Sequence, residues 1–156
     1  GPAELHPEER GRGPGERTYP GIQQLWQTGA NFLAFLDDLI AASGSQPVQV
    51  NLAGFSQGAA MALALLLKAP ELFERVAALS GFLPIGAAGA VREPKLAGRQ
   101  VLVTHGRQDE IVPVEMAHSM VAFLEQQQAS VQYCESDGGH KVSKNCMQAV
   151  ATFLTA

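Results

Sequence analysis

The apolar positions of this chain change period several times, and each change marks an element. Leu25, Phe32, Leu36, Leu39 and Ile40 recur at helical spacing on one stripe, with Gly44 as a stop. Residues 48–53, opening on Val48 and closing on Ala53, form a short β-type run. Residues 57–68 are apolar on almost every side, so they predict a helix buried on most faces, ended by the Ala69-Pro70 step. Residues 76–80 and 100–105 predict a second and a third strand. Pro113 opens a helix with Ala117, Met120, Val121 and Leu124 on one face. Residues 131–135 predict a fourth strand, and Ser143 caps a last helix whose inner face is Met147, Val150, Ala151 and Leu154. Strands alternating with helices of this length predict an α/β fold, with a parallel sheet of about four strands and helices on both faces.

The first 20 residues break this pattern. They hold charges, prolines and glycines and almost nothing apolar, so they cannot offset their ordering entropy by burial. Residues 1–18 are expected to be a flexible or loop-like arm, and residues 19–156 one domain. Residues 82–99, with Gly86-Ala87-Ala88-Gly89-Ala90, read as a plain loop or as a wall over a pocket.

Composition narrows the function classes. Hydrophobic residues make up 46% and charged residues 17% of 156, which suits one globular domain with a real core. A net charge of −4 with no Lys/Arg cluster gives no support for nucleic-acid binding. The longest strictly apolar run, residues 59–67, is about half a membrane span, so no span is expected. No signal segment is visible, which sets a cytoplasmic expectation, although the chain opens Gly1-Pro2 rather than Met. Cys134 and Cys146 read first as two small buried thiols, with a single disulfide as the alternative.

One motif carries chemistry. Gly54-Phe55-Ser56-Gln57-Gly58 has the form G-x-S-x-G and lies between a β-run and a helix, the context this motif needs. The turn is so sharp that the residues two before and two after the serine crowd each other, hence glycine at 54 and 58. Such a turn exposes the Ser56 hydroxyl, and the helix behind it aims its N-terminus at the site, with the Gln57 N–H as donor to an oxyanion. The bland alternative is a tight turn with a solvated serine.

A serine hydroxyl needs an adjacent base to be a useful nucleophile. His6 falls in the arm and His118 in a helix, whereas His105 and His140 follow strands, where α/β sheets collect active residues. The order Ser, acid, His favours His140, after Gly138-Gly139, and His105 reads as structural. Asp109, Glu110 and Asp137 all compete for the acid, with Asp109 favoured.

Four motifs in order then resemble a known group: Gly-Phe-Ser-Gln-Gly, Leu79-Ser80-Gly81-Phe82-Leu83-Pro84, His-Gly-Arg-Gln-Asp-Glu-Ile-Val-Pro from His105, and Gly-Gly-His140-Lys-Val-Ser143. The chain resembles the phospholipase/carboxylesterase family of α/β hydrolases, which includes acyl-protein thioesterases, over roughly residues 19–156. The resemblance implies a truncated α/β-hydrolase fold with Ser56 as nucleophile, Asp109 as acid, His140 as base and Gln57 as oxyanion donor. It places Phe55, Phe82 and Leu83 beside an acyl pocket, with Ile111 and Val112 opposite. It implies small-molecule ester substrates and neither cofactor nor metal.

Two departures stand out. Ala59 replaces a further family glycine. The strands that precede the first helix in the family, and the loop there that gives the second oxyanion N–H, have no counterpart; the Gly11–Gly15 loop is the candidate substitute. The chain is therefore expected to be a fragment, a minimal hydrolase, or a protein completed by another molecule. An uncovered strand at residues 48–53 would be an apolar sheet edge, which predicts homo-oligomers. The expected activity is hydrolysis of short-chain esters, set against long-chain thioester or lysophospholipid hydrolysis and against a silent fold that binds a lipid or a protein.

Overall fold

The computed structural model describes residues 19–44 and 49–156; the expected arm, His6 and the Gly11–Gly15 loop lie outside them, as does Val48. In chain order the elements are α1 (Ile22–Ala42), β1 (Val50–Phe55), α2 (Gln57–Lys68), β2 (Phe73–Leu79), α3 (Ala87–Ala90), β3 (Gln100–Gly106), α4 (Val114–Gln126), β4 (Ser130–Ser136) and α5 (Lys144–Thr155). The four strands form one sheet in the order β1-β2-β3-β4, and every neighbouring pair is parallel. The α/β expectation is met.

The side-chain period of two divides the sheet into two cores. Val76, Ala78, Val101 and Val103 face the larger one, under α2 and α4, with Leu63, Leu66, Leu67, Met120 and Leu124. Ala77, Leu79 and Leu102 face the other side and pack on Val150 and Phe153 of α5. Continuous apolar strands such as Ala77–Ala78–Leu79 are buried on both faces, as parallel strands usually are. The apolar α2 is buried from Ala59 onward save Met61 and the terminal Lys68, as its composition requires.

α1 lies on α2 rather than on the sheet. The Trp26 Nε1–H donates to the Ala64 carbonyl at 2.8 Å, and the Lys68 ammonium sits 4.9 Å from the Trp26 ring centre. Gly29 lets the backbones approach, since a Cβ there would press on the Leu65 side chain. The expected α1 stripe is only half buried. Leu25 and Leu36 are covered, but Phe32, Phe35 and Leu39 are exposed. No described element covers them. Between Phe32 and β1 runs an apolar groove of about 340 Å³, lined by Phe32, Leu52, Ala53, Met61 and Leu65 among others.

Other expectations shift by one to three residues. β1 runs on to Phe55, and β2 begins at Phe73. Pro113 stands at the N-cap of α4, with Val114 as the first helical residue. The α5 face is Cys146, Val150 and Phe153, whereas Met147 and Ala151 are exposed. Cys146 on this face is bonded to Cys134 on β4. The reading of two free thiols is thus corrected. The first turn of α5 lies beside β4, leaving the two Cα atoms 5.8 Å apart, within disulfide range.

Candidate active site

The site lies beyond the carboxyl ends of the strands. Ser56 occupies the turn between β1 and α2 with φ 58° and ψ −119°, a conformation that costs a non-glycine residue energy. The turn is held from outside, because the Ser56 N–H donates to the Leu79 carbonyl at 2.8 Å. A Cβ on Gly54 would run into the backbone carbonyl of Gly58, so glycine is required there. A Cβ on Gly58 would meet nothing within 4 Å. The crowding that the motif implied is therefore one-sided: Gly58 contributes backbone, and Gly54 contributes the missing side chain. Ser56 cannot cap α2 in the ordinary way, and its hydroxyl is left to other partners. Gln57 is the first residue of α2, so its N–H has no carbonyl a turn behind it within the helix.

The carboxylate and the imidazole reach this turn from two interlocked loops. β3 ends at Gly106, where a Cβ would overlap the carbonyl oxygens of Gly138 and Gly139. That contact lets the loop after β4 lie directly on the loop after β3. Arg107 N–H donates to the Ser136 carbonyl at 2.8 Å, and Gln108 N–H to the Gly138 carbonyl at 2.9 Å. Ser143 caps α5 by accepting from the Cys146 N–H at 3.1 Å, which anchors the far side of the His140 loop.

The three polar side chains converge. Ser56 Oγ and His140 Nε2 are 3.0 Å apart, and His140 Nδ1 lies 2.7 Å from Asp109 Oδ2. The carboxylate is fully buried and the imidazole is 19% exposed, so the serine side is open and the acid side is sealed. Asp109 Oδ1 accepts the Ile111 and Val112 N–H groups, each at 2.8 Å. Burial by itself would raise this carboxyl, but the Val112 N–H, the His140 ring and the Ile111 N–H together hold it below the ordinary aspartate value.

The competing residues lie elsewhere. Glu110 is exposed, and Asp137, 88% exposed, pairs with Arg107 at 2.7 Å. His118 bonds Glu135 at 2.8 Å on the outer surface, where Tyr133 also donates to Glu135. His105 is buried behind Asp109.

The residues that the family resemblance assigned to a pocket divide into three. Phe55 is 44% exposed and lies against the His140 ring, with centroids 5.0 Å apart. Phe82 and Val112 belong to the main core, with Leu83 and Ile111 half-buried against it. Tyr19, which sequence reasoning passed over, links these groups: its ring meets Phe82 edge-on at 4.6 Å, and its hydroxyl donates to the Ile111 carbonyl at 3.3 Å. An aromatic residue just past a polar arm was the only signal for it. Among the described residues, no set of three or more His, Cys, Asp or Glu side chains is gathered to hold a metal ion. No described helix is long and apolar enough to cross a membrane.

Known proteins are similar to this chain in sequence and fold. A probable carboxylesterase of Oryza sativa subsp. japonica is 30% identical over 126 residues, covering 80% of this chain and 47% of that protein. A second protein of the same organism, described as a probable inactive carboxylesterase, is 36% identical over 92 residues, covering 58% of this chain and 37% of that protein. The crystal structure of esterase PE8 superimposes with a TM-score of 0.73 at 29% identity, over 86% of this chain and 62% of that one. The chain spans about half the length of the curated relatives it matches. The model of the Phospholipase/Carboxylesterase family matches residues 23–156, and the chain belongs to that family.

Proposed function

We propose that this chain carries the catalytic centre of a serine carboxylic-ester hydrolase acting on small-molecule esters with short acyl groups. The observation that carries this reading is the continuous chain of hydrogen-bond distances from Ser56 Oγ through His140 to Asp109, 3.0 Å and 2.7 Å. In the proposed mechanism, His140 Nε2 takes the Ser56 proton as Oγ attacks the acyl carbonyl. Asp109 fixes the hydrogen on Nδ1 and stabilises the imidazolium. The Gln57 N–H, at the N-terminus of α2, receives the oxyanion. The imidazolium returns its proton to the leaving alcohol, which departs and leaves acyl-Ser56. Water, deprotonated by His140, then releases the acid and restores the serine.

The test is turnover of p-nitrophenyl esters of increasing chain length, with fluorophosphonate labelling in parallel. The expected result is labelling at Ser56, highest kcat/KM on the acetate or butyrate, and loss of both activity and labelling in Ser56→Ala. A maximum at long acyl chains or on thioesters would move the reading to a thioesterase or lysophospholipase. Unchanged turnover in Ser56→Ala would remove Ser56 from the mechanism.

A second reading, a silent fold that binds a lipid or a protein, draws on the relative described as inactive. A serine that refuses fluorophosphonate in a folded protein would favour this reading. As to partners, the outer edge of β1, which no described strand pairs, and the apolar groove beside it support self-association as the way this face is covered. A cytoplasmic location is kept as a proposal.

A further inference from the structure

Behind the acid sits a second histidine that the mechanism does not use. His105 is the penultimate residue of β3, and its side chain is fully buried, as is that of Asp109. Its Nε2 lies 2.7 Å from the Val112 carbonyl oxygen and 3.3 Å from Asp109 Oδ2. A carbonyl can only accept, so the hydrogen of this ring is on Nε2. Nδ1 is buried with no partner among the described residues. A buried polar atom left unpaired is costly, and an apolar side chain of similar size would avoid that cost. The use of an imidazole here must therefore lie in what Nε2 holds.

Nε2 holds the frame of the acid. Val112 donates its N–H to Asp109 Oδ1 and accepts from His105 through its C=O. His105 thus grips the same residue that grips the carboxylate. The other oxygen, Oδ2, lies between His140 Nδ1 at 2.7 Å and His105 Nε2 at 3.3 Å. Oδ1 already has two backbone donors, so the position of Oδ2 is the remaining freedom of the group, and His105 is its second neighbour beside His140.

We propose that His105 is a positioning residue: its Nε2–H, shared between the Val112 carbonyl and the edge of Asp109 Oδ2, fixes where Oδ2 meets the His140 ring. The role rests on the Ser56–His140–Asp109 reading given above. His105 touches neither substrate nor the reacting atoms. It acts through Asp109 on the orientation of the imidazole, and misplacement of a reacting group by as little as 1 Å costs on the order of a hundredfold in rate.

The test compares His105→Leu, which keeps bulk and removes the donor, with His105→Gln, whose side-chain amide can donate in place of Nε2. With p-nitrophenyl acetate, His105→Leu is expected to lose about tenfold to a hundredfold in kcat with KM changed less than twofold. His105→Gln is expected to recover most of the loss. Nitrogen-15 imidazole spectra of the wild-type protein are expected to show His105 protonated at Nε2 and bare at Nδ1, a readout that holds even where His105→Leu does not fold. In a folded His105→Leu variant the His140 Nδ1–H resonance is expected to shift. A hydrogen on His105 Nδ1, a Gln variant no better than Leu, or a folded Leu variant with wild-type kcat would each overturn the proposal. Ser56→Ala, assayed alongside, separates the two failures. If it stays active, the hydrolase reading falls and takes this one with it; if it is dead while His105→Leu is intact, only the role of His105 falls.

Discussion

Cys134 in β4 and Cys146 in the first turn of α5 are bonded at a sequence separation of 12, and His140 lies on the segment they close. The loop that presents the imidazole is therefore tied at both ends, by the disulfide and by the Ser143 cap.

Opening the bridge should loosen both the fold and the site. A loop of this length is worth about 2–3 kcal/mol in the chain-entropy account, or roughly 4–12 °C in melting temperature for a domain of this size. Calorimetry with and without a dithiol reductant, with thiol titration to confirm reduction, checks this. Esterase activity is expected to fall in the same samples. An unchanged midpoint after full reduction would show that the bridge contributes nothing. Reducing compartments keep most such bonds open, so the closed bridge and the expected cytoplasmic address pull in opposite directions.

The two glycines of the serine turn should behave differently. Gly54→Ala forces a methyl into the Gly58 carbonyl, which is backbone and cannot move aside; a loss of about 3 kcal/mol or more is expected. Gly58→Ala meets open space in the first turn of α2. It is expected to be neutral or to stabilise by up to about 1 kcal/mol, through helix propensity. Urea unfolding of both variants decides, and equal losses would contradict the one-sided packing described here.

Asp109 gives the pH dependence its sign. Burial acts to raise its carboxyl, but hydrogen bonds from Val112, His140 and Ile111 prevail and hold it low. A group lowered on folding adds stability that is fully present above the unfolded value, near ~3.9. That contribution is lost as pH falls through the folded value. The wild-type melting temperature should therefore fall more steeply below about pH 4 than that of Asp109→Asn. At neutral pH the same variant should lose about 10⁴-fold in kcat, because the amide no longer enforces the useful tautomer. Parallel acid limbs in the two melting curves would count against the assignment.

The uncovered side of β1 makes a prediction about mass. Phe32, Phe35 and Leu39 of α1 are 40%, 60% and 53% exposed, and Phe32 lines the groove. The chain is expected to self-associate through this face, seen as a rising mean mass in light scattering as concentration increases. Phe35→Lys with Leu39→Lys is expected to return it to a monomer. A wild-type mass that stays monomeric at high concentration would refute the idea.

Much of the fold could be read because its signals are local. The apolar run of α2, the alternating strands and helices, and the Ser143 cap depend on residues within a few positions of one another. The α1 stripe was misjudged at Phe32 and Leu39 because periodicity tells which positions share a face, not whether anything lies against it. The α5 face was displaced for a related reason, since Cys146 reads as inner only once β4 is beside it.

The sequence by itself determined the kind of site: a serine on a strand-to-helix turn, with histidines and carboxylates after later strands. Tertiary structure decided which of them meet. Glu110 is next to Asp109 in the chain and Asp137 is only three residues from His140, yet of the three only Asp109 is buried, with one oxygen held by backbone N–H groups and the other by His140. The physical reason is that hydrogen-bond geometry is set by parallel register and by loops crossing at Gly106, quantities that join residues distant in sequence and leave no local periodic trace.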